Sequence, residues 1–171
     1  MGVTVPYRIA VVCLGNICRS PMAGVVLADR VARAGLGDRV DVVTAGTGDW
    51  HIGSPMDRRA AAVLAAAGLD PSEHRARQFD PDWFEDFDLV LAMDAANRAD
   101  LATLAAAAGG NQERVRMFRD FDPLADDGDR EVPDPYYGGD EGFDTVMAMV
   151  QRTADQLVAW LEGQPLGSDR R

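Results

Sequence analysis

The sequence predicts an α/β fold built on a parallel sheet, and three observations predict it. Short apolar runs rich in β-branched residues, at 9–12, 40–43 and 88–93, alternate with stretches of helical periodicity. Glycine and asparagine punctuate the exchanges between them. The first apolar run passes through a tight turn into a helical pattern, and an alternation of this kind puts parallel strands in one sheet with helices on both faces. A chain of 171 residues is long enough for one substantial core, and it shows no internal repeat and no linker. One domain over 1–171 is expected, with its core at about 5–163 and a frayed tail at 164–171.

The first strand is Ile9-Ala-Val-Val12, bounded by the turn signal Gly15-Asn16. The helix after it starts at Ser20, whose hydroxyl suits a cap, with Pro21 in the first turn and Val25, Val26, Leu27 and Val31 near helical spacing. It ends near Ala34-Gly35. Between strand and helix lies a loop with Cys13 at its start and Arg19 at its end and five residues between them. A strand turning directly into a helix leaves backbone N–H groups pointing into the turn, with the positive end of the helix dipole behind them. Together they make a cradle for a tetrahedral anion. Gly15 lets the backbone approach a ligand, and Arg19 is able to grip two phosphate oxygens bidentately. Cys13 at the floor of such a cradle would be favoured as a thiolate, a nucleophile facing phosphorus. The spacing Cys-x5-Arg alone also fits a buried strand-end cysteine and a surface arginine. The strand before it, the glycine within it and Ser20-Pro21 after it favour phosphoryl transfer to sulfur.

Val40, Val42 and Val43 make the second strand, broken by Gly46-Thr-Gly48. Residues 56–67 form an alanine-rich helix with Asp57 near its start and Gly68 at its end. A loop carrying His74 follows, then a single-turn element at 81–87 and a buried strand at 88–93. Asp94 stands at the C-terminal end of that strand, where open α/β sheets place ligand-binding residues; it is equally a cap for the helix at 95–108. Residues 114–118 make a fourth short strand. The acidic stretch 121–131 reads as a solvated loop, since Leu124 stands where an EF-hand needs an oxygen ligand. Asp134-Pro135 marks a turn. The last helix, from about 140 to 162, carries an apolar stripe of Phe143, Val146, Met147, Val150, Leu157, Val158 and Leu161 that must pack on the sheet.

The composition, 47% hydrophobic and 26% charged, is that of a soluble globular protein. A net charge of −11 argues against nucleic acid as a partner and makes any anion site a local feature. All seventeen basic side chains are arginine. No apolar run is long enough to insert in a membrane, and residues 1–8 lack a signal-peptide pattern, so a cytoplasmic location is expected. Two cysteines are a poor disulfide framework and too few for a zinc site, and neither a metal nor another cofactor is expected.

Residues 12–23, Val-Cys-Leu-Gly-Asn-Ile-Cys-Arg-Ser-Pro-Met-Ala, resemble the phosphate-binding loop of the low-molecular-weight protein tyrosine phosphatases, and the likeness runs along nearly the whole chain. The resemblance implies a phosphotyrosine phosphatase I-like fold, a four-stranded parallel sheet in the order 2-1-3-4 with the Cys13 loop at the switch point. It implies Cys13 as nucleophile and Arg19 as phosphate clamp. Leu14, Gly15, Asn16, Ile17, Cys18 and Ser20 complete the loop. The segment around Trp50 is similar to the one that supplies an aromatic wall to the cleft, although a tryptophan tucked against its own loop also fits. Asp134, in Asp-Pro-Tyr-Tyr, matches the general acid, which later activates water, with Tyr136 and Tyr137 at the cleft mouth. His74, Asn16, Ser20 and Thr44 match a hydrogen-bond network behind the loop, with Thr44 where serine is more usual; a solvent-exposed histidine is the alternative for His74. Asp94 matches a structural aspartate, and Gly24 replaces an acidic residue common in the family.

The implied substrates are phosphotyrosine-containing proteins, and the implied form is a monomer or weak homodimer. An arsenate reductase on this fold needs further cysteines, and none follows Cys18. Protein-arginine phosphatases of the superfamily carry threonine where Ile17 stands and phenylalanine after Asp-Pro, so Ile17 and Tyr136 favour phosphotyrosine. A binding module without turnover would have no use for both Cys13 and Asp134. The spacing of Cys13 and Cys18 also suggests a reversible disulfide.

Overall fold

The computed structural model describes residues 5–166. Strands β1 (Tyr7–Cys13), β2 (Val40–Gly46), β3 (Leu89–Ala92) and β4 (Val115–Met117) form one parallel sheet in the order β2-β1-β3-β4, as expected. Side chains of β1 alternate between the two faces of the sheet: Ile9, Val11 and Cys13 enter one apolar layer, Ala10 and Val12 the other. The first layer is closed by α1 (Arg19–Arg33), α2 (Arg58–Ala66) and α5 (Asp140–Glu162), the second by α3 (Trp83–Asp86) and α4 (Ala95–Ala108). A central strand covered on both sides reads as a continuous apolar run, which is why residues 9–12 show no polar alternation. The whole predicted stripe of α5 is buried.

The strand order reverses direction at β1, because the chain goes to β2 on one side and to β3 on the other. The C-terminal ends of these strands therefore bring Cys13, Gly46 and Asp94 to a common crevice. Gly46 must be glycine there. A Cβ on it would lie 2.6 Å from the Leu14 carbonyl oxygen and 3.1 Å from the Asn16 nitrogen, inside the loop that follows β1.

Four expectations need correction. Ser20 does not cap α1: the helix begins one residue earlier at Arg19, Cys18 occupies the cap position without a side-chain hydrogen bond, and Ser20 points into the loop. The fourth strand shrinks to three residues because tight 3-10 turns at Gln112–Arg114 and Phe118–Phe121 take its ends. The stretch 121–131 is not simply solvated. Asp122 is buried and accepts from Arg119 Nε at 2.7 Å and Arg152 Nε at 2.8 Å, while Arg119 Nη1 reaches Asp129 at 2.6 Å. The expected tail starts too early, since Leu166 is buried against the core; the rest of it, 167–171, lies outside the described residues.

Burial works against the Asp122 carboxylate, but hydrogen bonds from Arg152, the Leu124 amide and Arg119 outweigh it and hold the group below its ordinary range. Removing one partner from a buried charge cluster strands the others in a low-dielectric setting. Arg119→Met is expected to cost about 3 kcal/mol in urea unfolding. A loss under about 1 kcal/mol would mean that the cluster behaves as a surface ion pair.

Candidate active site

Cys13 ends β1, and its sulfur is the floor of the loop. The Asn16 amide donates to Sγ at 3.3 Å, and Ser20 Oγ lies 3.0 Å from it. Ser20 Oγ also accepts from Asn16 Nδ2 at 2.8 Å, so its own hydrogen is left to point at the sulfur or at the Ala45 carbonyl, 3.4 Å away. Asn16 is fully buried in a left-handed conformation at φ 57°, a region that asparagine tolerates better than most residues. Its carboxamide donates a second bond to Thr44 Oγ1 at 3.0 Å and accepts from the Arg77 amide at 3.0 Å. Its carbonyl accepts from His74 Nε2 at 2.7 Å. His74 is thus a half-buried partner of the loop rather than a solvated side chain. Its burial, reinforced by Arg77 and Arg75 against the bond to Asn16, pushes its pKa below the ordinary 6.5.

Arg19 is buried at the first position of α1. Its Nη1 donates to Asp94 Oδ2 at 2.6 Å and to the Val132 carbonyl at 3.1 Å, and Nη2 lies 3.6 Å from Asp134 Oδ2. Burial opposes the guanidinium charge, but Cys13, Asp94 and Asp134 outweigh it and raise the group above its ordinary range. Asp94 also caps α4, because its other oxygen accepts from the Asn97 amide at 2.7 Å. Asp134 sits in a turn closed by the Tyr136 amide onto its Oδ1 at 3.0 Å. The segment carrying it hangs from the end of β3 through the Val132 amide on the Met93 carbonyl at 2.7 Å.

These side chains open on a cleft of about 380 Å³. Leu14, Gly15, Ile17 and Cys18 line its loop side, and Trp50, Tyr136 and Tyr137 its mouth. The Trp50 ring lies against Gly48 of its own loop, where it leaves no room for a Cβ, yet it stays 68% exposed, and Tyr137 is 91% exposed. Tyr136 and Tyr137 pack edge to face, 5.0 Å between centroids. The Trp50 segment is fixed to the loop by the Thr47 amide on the Cys13 carbonyl and the Gly48 amide on the Leu14 carbonyl, both at 2.9 Å. Asn16, Ser20, Thr44, His74 and Asp94 are joined by these hydrogen bonds to the loop or to Arg19.

Sequence reasoning missed two features. His51 also lines the cleft, its ring over Gly15, where a Cβ would meet it at 3.1 Å; its place next to Trp50 was the available signal. Asp57 and Arg59 open α2, and the Asp57 amide donates to the Ile17 carbonyl at 2.8 Å. Their link to the cleft crosses 77 residues of sequence and leaves no local pattern. Cys13 and Cys18 are both free thiols. Cys18, buried and close to the negative charges of Asp57, Cys13 and Asp134, is pushed up to about 12.

Fold and site together define a cysteine-based phosphatase. The description "Low molecular weight phosphotyrosine protein phosphatase" matches residues 8–166, and the chain belongs to that family. It is 46% identical to the low molecular weight protein-tyrosine-phosphatase of Streptomyces coelicolor over 94% of this chain and 97% of that one. The crystal structure of YfkJ from Bacillus subtilis is similar at a TM-score of 0.85 and 34% identity, covering 95% of this chain and 100% of that one. A Drosophila arginine phosphatase is similar at a TM-score of 0.82 and 26% identity, over 91% and 98%. Among the described residues no helix is long and apolar enough to cross a membrane.

Two departures from the family pattern turn out to touch each other. A Cβ on Gly24 would lie 2.4 Å from the Thr44 methyl carbon, so the threonine fills the space that a larger residue at position 24 would use. Gly24→Ala is expected to destabilise by about 1–2 kcal/mol despite its better helix propensity. Thr44→Ser in the same chain should recover most of that loss, and additive effects in the double-mutant cycle would exclude the coupling. Because His74 has a depressed folded pKa, the stability linked to its neutral form is complete above its ordinary value of 6.5 and is lost as pH falls through the folded one. His74→Gln should flatten the fall in unfolding free energy between about pH 7 and pH 5, and parallel profiles would overturn that assignment.

Proposed function

We propose that this protein hydrolyses phosphotyrosine in proteins through a phosphocysteine on Cys13. The observation that carries the reading is the convergence of Cys13, Arg19 and Asp134 on one cleft with aromatic side chains at its mouth. Arg19 Nη1 is committed to Asp94 and Val132, which leaves the Nε–Nη2 edge to hold two phosphate oxygens. The first-turn amides of α1, without a side-chain cap, face the same anion. The Cys13 thiolate attacks phosphorus, the S–P bond forms as the bond to the phenolic oxygen breaks, and Asp134 gives that oxygen its proton. Water then loses a proton to Asp134 and attacks phosphorus. The S–P bond breaks, and phosphate and the thiolate are released. Ser20 and the Asn16 amide stabilise the sulfur charge at both ends of the cycle.

The Drosophila neighbour makes phosphoarginine the competing substrate, and Ile17 and Tyr136 are what favour the aryl ester here. The experiment compares steady-state hydrolysis of phosphotyrosine and phosphoarginine peptides, without added metal, by wild type, Cys13→Ser and Asp134→Ala. Phosphotyrosine turnover is expected to vanish in Cys13→Ser and to fall about 10²–10⁴-fold in Asp134→Ala. Faster turnover of phosphoarginine would assign the protein to the other activity. Binding of phosphotyrosine without turnover would make it a recognition module.

A further inference from the structure

Arg59 lies outside the cleft, yet it holds the segment that carries Asp134. Its Nη2 donates to the Tyr136 carbonyl at 2.9 Å and its Nη1 to the Gly138 carbonyl at 3.0 Å. The guanidinium also stands 5.7 Å from the Tyr136 ring centroid and 4.6 Å from that of Phe143 on α5. Asp57, two residues before it, fixes its direction: Oδ1 accepts from Nε at 3.2 Å and from the Arg59 amide at 2.8 Å, and Oδ2 accepts from Nη2 at 3.2 Å. The Asp57 amide is itself bonded to the Ile17 carbonyl. The N-terminus of α2 is therefore attached on one side to the phosphate loop and on the other to the Asp134 segment.

We propose that Arg59, aimed by Asp57, is a positioning residue that sets the distance between the proton donor Asp134 and the phosphate loop. This rests on the reading of Asp134 as that donor. The upstream end of the segment is held by two other arginines, Arg119 on the Glu131 carbonyl at 2.8 Å and Arg19 on the Val132 carbonyl. Arg59 supplies the downstream hold, so the turn around Asp134 is clamped at both ends. Losing it leaves Cys13, Arg19 and the loop in place and lets the carboxyl move away from the leaving oxygen. A displacement of that kind costs most where the leaving group needs a proton and little where it does not.

The test measures kcat/KM, which reports the steps through phosphocysteine formation, for phenyl phosphate and 2,4-dinitrophenyl phosphate. Wild type, Arg59→Met, Asp134→Ala and the double variant are compared, with the inhibition constant of inorganic phosphate as the measure of an intact loop. Arg59→Met should lose about 10- to 100-fold on phenyl phosphate and under about threefold on the dinitrophenyl ester. Phosphate inhibition should stay unchanged, and Arg59→Met should add nothing to the loss in Asp134→Ala. Equal losses on both esters, weakened phosphate inhibition, or a further loss in the double variant would overturn the proposal. If Asp134→Ala itself shows no leaving-group dependence, the donor reading fails, and that result is separate from anything Arg59 does. Should Arg59→Met not fold, Arg59→Lys serves in its place, since an ammonium cannot span both carbonyls and Asp57 together.

Discussion

Asn16 is buried in a left-handed conformation, and its amide, its carbonyl and both ends of its carboxamide have named partners. A backbone held there costs on the order of 1 kcal/mol and persists only where its surroundings over-determine it. The surroundings come from β1, β2, α1 and the segment 74–77. The loop shape thus depends on segments distant in sequence and not on the residues between Cys13 and Arg19 alone. Gly46 contributes to the same constraint by having no side chain where the loop passes closest to β2.

The second constraint is charge without lysine. Planar guanidinium groups bond several oxygens at once and stay charged when buried, and this chain uses them in that way. Arg19 joins a capping carboxylate, a carbonyl and the cleft; Arg119 joins two aspartates and a carbonyl. A protein with a net charge of −11 can hold an anion only by concentrating positive potential locally, and the buried Arg19 with the uncapped start of α1 does this.

What could be read from the sequence was whatever is local or periodic. α5 at 140–162 was legible because burial on one face writes a period into the chain, the β1 run because burial on two faces leaves it continuously apolar, and α4 at 95–108 because Asp94 and Gly109 mark its ends. The strand order and most of the site roles came through resemblance, because pairing partners leave no trace in periodicity. Ser20 was misread as a cap because a hydroxyl before a proline satisfies the capping pattern; the sulfur seven residues earlier, which engages it, is visible only once the loop closes. The acidic stretch was misread for a related reason. Counting charges shows that Asp122 is acidic but not that Arg119 and Arg152 enclose it. Arg59 acts on residues brought to it by the fold, so no local pattern marks it, and His51 is marked only by its place next to Trp50.

The chain has two sulfurs, and the environment of Cys18 gives them unequal chemistry. A thiol pushed up to about 12 and buried among negative charges stays protonated in neutral solution. Soft electrophiles react with thiolate, so the surroundings of Cys18 shield it from an alkylating reagent added near neutrality.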